Sequence, residues 1–146
     1  MIHEEISAAH DAFKAIDVRE LNPLQMAYVG DTVHDLYVRS MLLSRGMTVG
    51  KMHKQAVRMV SAGAQARMLE AIEAELSEAE ADIARRGRNS QAKHSAPKHA
   101  DPADYAHATG LEALWGYLYL SGQTQRLDEL IKFALSRTEE IWQKRT

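Results

Sequence analysis

The chain has 146 residues, 45% hydrophobic and 26% charged, with a formal net charge of -2 and no cysteine. This is the composition of an ordinary globule long enough to bury one core, and it excludes disordered and fibrous chains, disulfide scaffolds, thiolate-zinc sites and cysteine nucleophiles. No stretch is apolar over the width of a bilayer and the N-terminus lacks the apolar heart of a signal peptide, so a cytoplasmic protein without a membrane partner is expected.

Helical periodicity dominates and no alternating run is long enough for a sheet, so the expected class is all-α, with residues 1–146 as one domain. A first helix is predicted over about residues 4 to 16. Asn22-Pro23 supplies an N-cap followed by proline at the first helical position and opens a second helix. In it Met26, Val29, Val33, Leu36, Tyr37 and Met41 recur as a core face, and Ala27, Asp31, His34, Asp35 and Val38 fall opposite. Arg45-Gly46 ends it, and Lys51 to about Ala74 reads as one long third helix. Ser77 to Glu80 loosely resembles a capping box before a short helix, Ala79 to Arg86. Residues 87 to 103 contain Gly87, Pro97 and Pro102 without an apolar period and read as a loop. Helices return over about Tyr105 to Tyr119, where Trp115, Tyr117 and Tyr119 read as core or interface, and over about Gln125 to Trp142.

Charge is unevenly distributed. Glu70 to Asp82 contains six acids and no Lys or Arg, whereas Ala84 to Ala100 contains five Lys or Arg, two His and no acid. A near-neutral chain can therefore carry a strongly basic surface, here Arg85, Arg86, Arg88, Lys93, His94, Lys98 and His99, with Asn89 and Gln91 as hydrogen-bonding neighbours. Lys51, Lys54 and Arg58 fall at i, i+3 and i+7, a stripe that is either a secondary nucleic-acid contact or a solvated face.

Two acids stand out. Asp31 lies beside Gly30 inside one predicted helix, and Glu112 lies between Gly110 and Gly116 in another. Glycine costs about 1 kcal/mol relative to alanine in a helix interior, so these three imply close packing or a metal near the backbone. The alternative is that the acids are solvated and the glycines merely let helices cross.

The stretch Leu21 to Arg39, LNPLQMAYVGDTVHDLYVR, and the stretch Ala108 to Leu120, ATGLEALWGYLYL, resemble the two signature helices of the ribonuclease III nuclease domain. Between them, ARRGRNSQAKH is similar to the basic loop of the short branch called Mini-ribonuclease III. The likeness covers about residues 19 to 135 and implies an all-helical endonuclease domain without the double-stranded-RNA-binding domain of longer members. By position, Asp31 matches the catalytic aspartate and Glu112 the catalytic glutamate. Ala27 and Thr109 stand where the larger enzymes have further acids, a reduced arrangement that Mini-ribonuclease III enzymes resemble. Asp35 matches a usual acid and is given a supporting role, with a surface salt bridge as the alternative.

The resemblance implies hydrolysis of double-stranded RNA to a 5′ phosphate and a 3′ hydroxyl, with magnesium, or manganese in its place, on Asp31 and Glu112. It also implies trimming of the 23S ribosomal RNA precursor, and a homodimer, whose contact is expected on the first signature helix at Tyr28 and Val29. Two rivals are weighed beside it. One is a metal phosphohydrolase of the HD type, built on His34-Asp35 with His53, His94, His99 and His107. The other is a non-catalytic duplex-RNA-binding or ribosome-assembly module, to which the missing acids at 27 and 109 would point.

Overall fold

The computed structural model describes residues 16–143, with side chains through 138, and is all-α. The helix expected over about residues 4 to 16 lies almost wholly outside the described residues. A 3-10 turn, Val18–Glu20, precedes α1 (Pro23–Ser44), α2 (Val49–Met59), α3 (Ala62–Ile72), α4 (Glu78–Ala92), α5 (Pro102–Leu120) and α6 (Thr124–Gln143).

The starts of α1, α4 and α5 follow from local chemistry. The Asn22 side chain accepts from the Gln25 N–H at 2.9 Å while the Gln25 side chain accepts from the Asn22 N–H at 2.9 Å, and Pro23 opens α1. Two orphan amides are thus satisfied and none is lost to the proline. Ser77 and Glu80 form the same reciprocal box at α4, and Asp101 caps α5 ahead of Pro102. Gly46 and Gly122, both at positive φ, turn the chain after α1 and α5.

The long helix expected from Lys51 to Ala74 is two helices. Ser61 divides them, because its hydroxyl caps the Ala64 N–H at 3.2 Å and the Gln65 amide ties back to the Val60 carbonyl at 3.0 Å. The loop expected from residue 87 is also shorter than predicted: α4 continues through Gly87 to Ala92, leaving residues 93–101 as the connection. Gly87 packs rather than breaks, since an added Cβ would lie 2.8 Å from the Ala113 Cβ.

At the centre is α5, apolar on every side and packed by α1, α3, α4 and α6. Leu111, Leu114, Trp115 and Leu118 are fully buried and meet Leu42, Met68, Ile72 and Ile131 from the surrounding helices. Tyr117 and Tyr119 pack at the margin of this core. Two glycine crossings let neighbours reach the backbone of α5. Gly30 and Gly116 do so for α1, while Gly87 and Gly110 do so for α4.

The buried face of α1 differs from the expected one. Met26, Ala27, Gly30, Val33, His34, Val38 and Leu42 are buried, whereas Leu36 is 54% exposed. Docking through Gly30 places the seam along 26, 30, 34, 38 and 42, an i, i+4 row that takes in His34 and Val38 from the expected outer face, with Ala27 buried beside it, while Asp31 stays exposed and Asp35 half-exposed.

Candidate metal centre and nucleic-acid interface

The α1–α5 crossing builds the acid pair. A Cβ on Gly30 would fall 1.7 Å from the Glu112 carbonyl oxygen, and one on Gly116 would fall 1.8 Å from the Met26 carbonyl oxygen. Backbone therefore meets backbone, and Asp31, the residue after Gly30, is carried to the side chain of Glu112. The Asp31 carboxyl lies within hydrogen-bonding reach of the Glu112 carboxyl. Burial first, then hydrogen bonding with Asp31 and the charge of that residue, push the Glu112 carboxyl up to about 9.

A Glu112 carboxyl raised that far keeps its proton near neutral pH. A divalent cation could displace it and neutralise both charges. The donors are hard carboxylate oxygens on rigid helices, a set that suits magnesium, which takes one or two protein carboxylates and leaves its other positions to water and phosphate. Asp31 is exposed and Glu112 half-buried, so the pair is open on one side.

Ala27 and Thr109 are buried. Ala27 packs with Met26, Ile83 and Ala113, and the Thr109 hydroxyl donates to the Tyr105 carbonyl at 3.1 Å. Among the described residues no group of three or more His, Cys, Asp or Glu could hold a metal ion. Asp35 accepts a hydrogen bond from Arg39 at 3.1 Å, one turn along α1, which is the salt-bridge alternative for that residue.

The HD-type reading does not survive the geometry of His34. Its ring is fully buried, with Nε2 3.1 Å from the Met59 carbonyl and Nδ1 3.2 Å from the Trp115 indole nitrogen. A carbonyl only accepts and an indole N–H only donates, so Nε2 donates, Nδ1 accepts and neither nitrogen is left for a metal. Burial holds this imidazole below its usual pKa.

The cations divide into two groups. Arg85, Arg86, Arg88 and Asn89 lie on the second half of α4, and Lys93, His94, Lys98 and His99 lie at its end and on the connection. Arg85 is paired with Asp82 on its own helix. Arg88, Asn89, Gln91 and His94 line a cleft of about 320 Å³, closed on the other side by Tyr105 and His107 of α5. His107 donates from Nδ1 to the Ala103 carbonyl at 2.7 Å. Lys51, Lys54 and Arg58 are exposed on α2, which packs against α1 and α3. The contributions of Tyr105 and His107 escaped the sequence because the cleft exists only where α5 passes α4.

Residues 24–123 match the Ribonuclease III domain family. A Mini-ribonuclease 3 from Symbiobacterium thermophilum is 50% identical over 115 residues, covering 78% of this chain and 88% of that protein. One from Enterococcus faecalis is 41% identical over 131 residues, covering 88% and 98%. The crystal structure of a protein from Fusobacterium nucleatum superposes with a TM-score of 0.73 at 26% identity, covering 82% of this chain and 96% of that one. The chain belongs to the ribonuclease III family of endoribonucleases, on its Mini-ribonuclease III branch.

Proposed function

We propose that the chain cuts double-stranded RNA with magnesium, or manganese in its place, held by Asp31 and Glu112, and that its transcript is the 23S ribosomal RNA precursor, as the family resemblance implies. The observation that carries the catalytic part is the contact of the two carboxyl groups across the Gly30–Gly116 crossing.

Asp31 and Glu112 would hold a divalent cation whose chemistry there would be to polarise the scissile phosphate, activate the attacking water and stabilise the departing 3′ oxygen, for hydrolysis to a 5′ phosphate and a 3′ hydroxyl. Asp31 and Glu112 supply the protein ligands, and α5 holds Glu112 where one side is shielded by core. Arg86, Arg88, Lys93 and Lys98, with Asn89 and His94, contact backbone and 2′-hydroxyls across the minor groove of the duplex. Lys51, Lys54 and Arg58 form a second, weaker contact.

A homodimer with a twofold axis matches the approximate dyad of a duplex and presents one acid pair to each strand. Supporting it is an apolar row on the outer side of α1, with Tyr28 84% exposed and Leu36 and Leu43 also exposed, and Val29 packed just inside.

The test is cleavage of long double-stranded RNA with magnesium by the wild type, Asp31→Asn and Glu112→Gln. Cutting by the wild type alone, with both variants still binding duplex in calcium, is the expected result. Undiminished cutting by either variant would remove that residue from the site.

A further inference from the structure

We infer that His34 and Trp115 are positioning residues for the Asp31–Glu112 pair, setting the rotation of α1 and α5 at the point where their backbones touch. This rests on the reading of that pair as the metal site.

The glycine crossing fixes how near the two helices come, but glycine leaves no side chain to interlock, so it resists rotation about the helix axes weakly. Rotation matters here. A carboxylate about 6 Å from a helix axis moves by about 1 Å for each 10° of turn, and misplacement of about 1 Å in a reacting constellation can cost about a hundredfold in rate. With two protein carboxylates, no third ligand compensates.

His34 and Trp115 supply what the glycines lack. His34 is three residues after Asp31 and Trp115 three after Glu112, so each stands one turn from an acid on the same helix. Both are fully buried, and the indole N–H of Trp115 donates to His34 Nδ1 at 3.2 Å. The second ring nitrogen donates to the Met59 carbonyl at 3.1 Å, in the last residue of α2, where helical carbonyls have lost their intrahelical partners. The relay from Met59 through His34 to Trp115 joins three helices with planar groups whose donors and acceptors have one arrangement. Turning α1 or α5 breaks a buried hydrogen bond and leaves a polar atom unpaired.

His34→Phe and Trp115→Phe, singly and combined, test this, with His34→Gln as the conservative variant whose amide can both donate and accept. Each is measured below its melting temperature, by calorimetric titration with manganese without RNA and by steady-state cleavage of duplex RNA in magnesium. The expected result is about tenfold weaker manganese binding and a kcat lower by about tenfold to a hundredfold, with KM for the duplex changed less than about twofold. The double variant should be no worse than the poorer single one, and His34→Gln should recover most of the loss.

Unchanged manganese affinity and kcat in folded Phe variants would overturn the inference while leaving Asp31 and Glu112 in place. Equal weakening by Leu130→Ala, a core truncation on α6, would overturn it too, since general loosening would then suffice. If His34→Phe does not fold, Trp115→Phe, which leaves His34 bonded to Met59, carries the same test. Undiminished manganese binding by Asp31→Asn would remove the metal site and this inference with it.

Discussion

Gly30 lies directly against the carbonyl of Glu112, with room there for a hydrogen atom and for nothing larger. Replacing it with alanine forces α1 away from α5, so Gly30→Ala should cost about 2 to 4 kcal/mol in urea unfolding and abolish cleavage with it. Gly50, near the start of α2, faces open space, and Gly50→Ala should be neutral or stabilising by up to about 1 kcal/mol with cleavage intact. Equal costs at the two positions would contradict the crossing.

The Glu112 carboxyl, pushed up to about 9 from an ordinary 4.5, makes the stability of the metal-free protein depend on pH. Between those values the unfolded chain has released the proton and the folded one keeps it, so this contribution is complete below about 4.5 and is lost as pH rises toward 9. In a chelator the melting temperature of the wild type should fall from pH 5.5 to 8.5, and Glu112→Gln should flatten that fall. Manganese uptake at pH 7 should also release about one proton, read from titrations in buffers of different ionisation enthalpy.

Arg126 grips Glu80 with two hydrogen bonds of 2.9 Å and reaches the Glu75 carbonyl at 2.7 Å, clamping the start of α4 to α6. Hydrogen bonding from Arg126 holds the Glu80 carboxyl below its usual range, so its contribution is present above the ordinary carboxylate pKa and fades as pH falls. Arg126→Met strands a buried acid and should cost about 3 kcal/mol in unfolding at pH 7, less at pH 4. Manganese affinity of the folded protein should not change.

Neutralising Arg86, Arg88 and Lys93 to glutamine should weaken duplex binding at every sequence and lower the slope of log K against log salt by about 2. The same change at Lys51, Lys54 and Arg58 should lower it by less. A slope unmoved by the first set would take the end of α4 out of the interface.

The sequence revealed what is local. Asn22-Pro23 and Ser77 with Glu80 carry their caps within four residues, and the two acids stand out through the glycines beside them; Asp101-Pro102 is as local a cap, but it sits at the end of a stretch whose composition reads as loop. What it hid depends on distant partners. Gly87 has the composition of a helix end and is in fact where Ala113 presses on α4. His34 falls opposite the apolar row by spacing, and only the Met59 carbonyl and the Trp115 indole make its burial tolerable. The break at Ser61 is masked in the sequence because both halves continue one apolar rhythm, although serine before Ala62-Gly63 is itself a capping signal.

Lys93 closes α4 and Asp101 opens α5, so the connection between them joins the outer ends of two helices whose middles are locked together. Chemistry and recognition are thereby separable. The stretch from 93 to 101 can be lengthened, recharged or exchanged for another while the acids keep their register, so substrate preference can be retuned, in evolution or in the laboratory, without rebuilding the cutting centre.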